Sequence, residues 1–162
     1  MTFVEWVLVF AVAGIGLAAL LWRPLRSKLR AQELARARHD FHRQREHLEA
    51  KFFQIAEASG KPRGLAWTNV DFDDDVTYAR ERDSGELSAL VAVTISFEAI
   101  EGGGMEHVEA VGNLRAATAV FLFRRGRWTT DGRSLFNLNP AEAVKYYQAN
   151  LELVGQEGSH SM

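Results

Sequence analysis

The sequence predicts an α+β protein. An N-terminal transmembrane helix leads into a long basic helix, which packs on an antiparallel meander sheet of about four strands, and a short C-terminal helix follows. Three observations carry this. Residues 3–22 form a run of twenty residues whose only charge is Glu5. Residues 25–59 contain neither Gly nor Pro and are rich in Ala, Leu, Arg, Glu and Gln. Beyond Gly60 the apolar residues change from helical spacing to alternation, which is the period of a strand.

The apolar run matches a bilayer. At about 1.5 Å per residue it covers roughly 30 Å, the thickness of a hydrocarbon core, whereas the apolar region of a signal peptide is usually about 7–15 residues. Met1 to Phe3 carries no basic side chain, while Arg23, Arg26, Lys28 and Arg30 follow the run at once. The positive-inside rule then predicts an uncleaved single-pass anchor over residues 1–23, with the N-terminus out and the remainder cytoplasmic. Trp6 and Trp22 fall near the two ends, where indoles favour the headgroup level. Gly14 and Ala18 form a small-xxx-small pair of the kind that lets two such helices approach, so a homodimer is one expected partner state.

The next segment, 24–40, reads as a basic helical stalk. Pro24 suits a first helical turn. From Arg23 to Arg45 the basic residues are Arg23, Arg26, Lys28, Arg30, Arg36, Arg38, Arg43 and Arg45, against Glu33 and Asp40 alone. Beside a membrane this charge is expected to meet anionic lipid headgroups, at about 1 kcal/mol per basic residue. No interleaved aromatics or binding-fold signature points to nucleic acid, which is not expected as a partner. Leu34, Phe41, Leu48 and Ile55 recur every seven residues, but the alternating seam positions 38 and 45 are Arg, which excludes a regular coiled coil over the first half. Phe41, Leu48, Phe52, Ile55 and Ala56 are expected to cover a sheet instead. His39, His42 and Glu46 share a helix face at ligand-like spacing, yet they sit among arginines on a solvated side, so no metal site is expected there.

A domain is expected over 41–154. Leu65–Phe72 and Val76–Glu81 read as short strands, the second closed by Asp83-Ser84-Gly85. Leu87–Ile100 reads as a strand with Leu87, Ala89, Val91, Val93, Ile95, Phe97 and Ala99 on the core face and a partly wet face opposite. Glu101-Gly102-Gly103-Gly104 is a turn, since a phosphate loop needs Gly-Lys-Ser/Thr and a helix after its glycines. A long strand is expected from Glu106 to Arg124, turning at Arg124-Arg125-Gly126-Arg127 into Trp128. Asn139 then caps a helix with Pro140 in its first turn, running to about Leu151, and 155–162 is a polar flexible tail. Asp71, Asp73 and Asp75 alternate as an EF-hand loop begins, but Val76 stands where Gly is needed and Arg82 where Glu is needed, so calcium is not expected.

The order of a helix followed by antiparallel strands, with Phe121-Leu122-Phe123-Arg124-Arg125-Gly126-Arg127-Trp128 as a strand–turn–strand, resembles the cystatin-like and NTF2-like α+β rolls over residues 41–135. The helix from Pro140 lies outside the simplest form of either. Some proteins of that architecture are enzymes with an Asp–His or Tyr–Asp set inside the cone. Here the strand segments hold only His107 and Tyr78, so the resemblance implies no active site.

With 162 residues and no cysteine, the chain has room for an anchor and one domain and holds no disulfide or thiolate chemistry. No catalytic residue, cofactor-binding residue or metal ligand is expected. The function expected is that of a membrane-anchored protein whose domain acts by binding or assembly, with the lipid bilayer and a protein as partners. The alternative is a membrane-tethered NTF2-like enzyme or small-ligand-binding domain. That reading needs Asp73, Asp75, Tyr78, His107 or Asp131 to converge in a pocket.

Overall fold

The structure is a computed structural model that describes residues 3–59, 63–105, 107–108 and 112–158, with side chains from Trp22 onward apart from Arg23. The chain divides into two compact units, Met1–Asp40 and Phe41–Met162. Helix α1 (Phe3–Ala58) runs 56 residues and supplies the first unit and the start of the second. Among the described residues no helix is long and apolar enough to cross a membrane. The expected anchor over 1–23 lies almost wholly outside the residues described at side-chain level.

In the first unit, Pro24 sits inside α1 and does not open a new helix. A proline there removes one intrahelical donor, and the strong helix formers around it carry the helix through. The Ser27 hydroxyl donates to the Pro24 carbonyl at 2.9 Å. Residues 24–33 are exposed, Leu34 is half-buried and Ala37 is fully buried, so the solvated stretch ends earlier than the sequence suggested.

The second unit is a six-stranded antiparallel sheet between α1 and a short helix. Its strands are β1 (Leu65–Glu81), β2 (Leu87–Ala99), β3 (Arg115–Arg124), β4 (Arg127–Thr129), β5 (Ser134–Phe136) and β6 (Leu151–Glu157), and α2 is Pro140–Tyr146. The order is β4-β3-β2-β1-β6, with β5 also on β3. The meander of β1 to β4 is the one expected, and six strands replace the four.

Each difference has a local cause. The two expected strands at 65–81 are one, because residues 73–75 form a bulge between Phe72↔Val93 and Val76↔Val91 without breaking the pairing to β2. Strand β3 begins at Arg115, opposite Ile95; of the first part of the strand expected from Glu106, residues 107–108 and 112–114 are not in a strand and the others lie outside the described residues. Edge strands β4 and β5 lie end to end along β3: Thr129 pairs Leu122 and Ser134 pairs Ala119. Between them the chain loops out, held by the Thr130 hydroxyl on the Val120 carbonyl at 3.0 Å and the Val120 N–H on the Arg133 carbonyl at 3.1 Å. Gly132 makes this loop possible. Its φ is +73° and an added Cβ would lie 2.9 Å from the Ala56 nitrogen.

The Arg124–Arg127 turn is a two-residue hairpin in which Arg125 and Gly126 both have positive φ, the signs of a type I′ turn. Helix α2 is capped as expected. The Asn139 side chain accepts from the Glu142 N–H at 2.8 Å while Glu142 accepts from the Asn139 N–H at 3.0 Å. Its end is not as expected: the helix stops at Tyr146, and residues 151–157 of the predicted helix end and tail form β6, paired to Val76–Glu81. Leu151 and Leu153 flank Glu152, Val154 is skipped at the register shift between Tyr78 and Ala79, and an open strand edge outweighs helix propensity. Residues 159–162 lie outside the described residues.

Two cores result. Phe41, Leu48, Phe52 and Ala56 of α1 are buried and Ile55 is half-buried, on the sheet face that carries Tyr78, Ala89, Val91, Val93 and Phe121. Phe41 packs edge-on against Phe121 and Trp128 with centroids 5.4 and 5.0 Å apart, and Phe52 against Phe72 at 5.7 Å. The opposite face, expected to be partly wet, holds a second core. There Ala143 and Val144 of α2 join Ala79, Leu90 and Val120, flanked by Leu122, Leu135, Leu138 and Leu151.

Candidate functional site

The polar groups of the second unit collect where β1 bends. The bulge at 73–75 turns two carbonyls outward, and the Arg45 guanidinium of α1 donates to both, Asp73 O and Asp74 O, the latter at 3.0 Å. The same side chain pairs with Glu49 one turn on, at 2.7 Å. Arg45 thus closes over the bulge, and the acidic run Asp71–Asp75 is anchored through its backbone.

Beside it, Glu157 at the end of β6 accepts from the buried Tyr78 hydroxyl at 3.1 Å and lies 2.7 Å from His42 Nε2. The Glu157 carboxylate therefore joins α1, β1 and β6. Its chemistry is that of a tie: half of the His42 side chain faces solvent, and neither it nor Glu157 lines any of the clefts described below.

Asp73, Asp131 and His107 do not converge. Asp73 accepts from the Asp75 N–H at 3.3 Å within the bulge, Asp131 accepts from the Arg133 N–H at 3.1 Å in an exposed turn, and His107 is exposed in a separate turn. His39 and Glu46 are exposed on α1. Among the described residues no three His, Asp or Glu side chains are grouped to hold a metal ion. At the hairpin, Arg124 donates to Glu86 at 2.7 Å, and this hydrogen bond raises the already high pKa of the exposed guanidinium. Arg45 and Glu157 are the residues sequence reasoning missed. Glu157 falls in the polar tail expected over 155–162, and nothing local in the sequence marks it as a partner of Tyr78.

Among the described residues, three open clefts lie on the sheet and its edges. One of about 530 Å³ lies between Asp71, Thr94 and Ala116 on the sheet and Leu138 to Glu142. Another of about 540 Å³ has Leu90, Val120 and Leu122 as its floor and Glu86, Arg124 and Arg133 at its rim. The third, about 410 Å³, runs between α1 and the outer edge of β1, with Glu46, Glu49 and Phe53 on one side and Asn69, Val70 and Phe72 on the other. Comparison with protein-family models, curated proteins and solved structures finds no match for this chain.

Proposed function

We propose that this is a single-pass membrane-anchored protein with its N-terminus outside and residues from the stalk onward in the cytoplasm, whose α+β unit acts by binding or assembly. The observation that carries the reading is the uncharged run from Trp6 to Trp22 followed at once by four basic residues, Arg23, Arg26, Lys28 and Arg30. Support comes from the helix just beyond it. Trp22, Leu25 and Leu29 are more than half exposed along one stripe of α1, and Arg26 stacks on the Trp22 ring at 5.4 Å. An apolar stripe interleaved with cations suits the headgroup level and has no use in water. The binding role rests on the open clefts and on a polar cluster that serves as a tie.

Protease added outside intact cells should leave residues 41–158 whole, and permeabilisation should expose them to cleavage. Degradation in sealed cells would place the α+β unit on the other side and sink the orientation.

A further inference from the structure

We infer that the outer edge of β1, from Thr68 to Phe72, is a docking edge for a short extended segment of a basic partner protein, which adds to the sheet as a strand. The inference rests on the binding reading above and names its surface and partner. Pairing to β2 runs the length of β1, Leu65 to Arg80, but β6 covers the other side only from Val76 to Glu81. At the bulge between these halves, Arg45 takes the carbonyls of Asp73 and Asp74. That leaves Thr68–Phe72, whose outer edge no strand pairs among the described residues. Half of the backbone N–H and C=O groups there point away from β2.

The cleft of about 410 Å³ lies along this same stretch. Its floor is apolar, with Val70, Phe72 and Phe53 half-buried, and its rim on α1 carries Glu46 and Glu49 and no cation. Arg45, the cation beside it, is already engaged by Glu49 and the two bulge carbonyls. Main-chain bonds to an open edge give affinity, and side chains alternating into a groove give specificity. Alternate side chains of an added strand turn to one face, so the set facing α1 is Lys or Arg, with its charges toward Glu46 and its stems along Phe53 and Val70, and a β-branched set faces the other way. The register slip at Trp67/Asn69 limits the regular part of the edge to Asn69–Phe72, so the segment engaged is short.

The full chain in phosphatidylcholine nanodiscs is titrated with a fluorescent Lys-Val-Lys-Val-Lys-Val peptide, its Glu-Val counterpart, and two Lys-Val peptides N-methylated at either the Lys or the Val positions. The Lys peptide should bind at least roughly tenfold more tightly than the Glu peptide, and Glu46→Lys should remove most of that difference. One N-methylated peptide should bind like the parent and the other should fail, because only one set of amides faces the edge. Hydrogen exchange should slow over 68–72 on binding and stay unchanged over 127–129. Equal affinity for the two charges, retention of binding by both N-methylated peptides, or slowing at β4 would each overturn the inference. So would full protection of 69–72 without peptide, which would mean that the edge is already covered by the chain itself or by a second copy. Nanodiscs expose the unit whichever way the anchor is oriented, so failure here leaves the proposed topology standing, and protease protection judges that separately.

Discussion

Phe52 is the side chain on which the α1 packing turns. It is fully buried and touches Trp67, Phe72 and Phe121, three rings from two strands. Burying such a ring is worth about 1.5–3 kcal/mol by area alone, and aromatic pairs add about 0.5–1.5 kcal/mol. Phe52→Asp replaces this with an unpaired charge and should cost about 4–5 kcal/mol, a large share of a typical total of about 5–15 kcal/mol. Arg36 is exposed, and Arg36→Asp should change stability by no more than about 0.5 kcal/mol. Urea unfolding of the chain from Leu25 onward, with each change in turn, measures both. Equal losses would mean that α1 does not hold the sheet.

At the scale of elements, what was legible is what local pattern decides. The stripe Phe41, Leu48, Phe52 and Ala56, the alternation of β2, the Arg125-Gly126 turn and the Asn139 cap all follow from side chains a few residues apart. What was hidden depends on partners far along the chain. Leu151–Glu157 reads as a helix end and the start of a polar tail, and only the vacant edge at Val76–Glu81 makes it a strand. The second core was hidden for the same reason, since Leu90 and Val120 look like the wet side of strands until α2 covers them. Of the polar cluster, Tyr78 was visible, but its tie to Glu157 depends on that same long-range pairing. Glu157→Ala removes an acceptor from Tyr78 and from His42 and should cost about 1–3 kcal/mol. Its mark is local: hydrogen exchange should rise over 151–157 while β2 and β3 keep their protection. A rise spread evenly across the sheet would show that β6 is not a separate tier.

For the whole molecule, the sheet order separates near neighbours from distant ones. Strands β1 to β4 follow one another in space as in sequence, whereas β6 returns to β1, with Leu151 opposite Glu81. Closing that long loop costs chain entropy before any bond is made, and the hairpins carry no such delay. The consequence is an order in time. The meander should form first under α1, and β6 should arrive last and depart first. Pulse labelling during refolding should protect amides of 87–97 and 117–123 ahead of those of 151–157; simultaneous protection would refute this. Until β6 arrives, Val76–Glu81 is as bare as Thr68–Phe72, so a newly made chain briefly offers a second stretch of β1 to any strand nearby. The half that β6 never covers is then the lasting remnant of a vulnerability that the other half passes through only while folding.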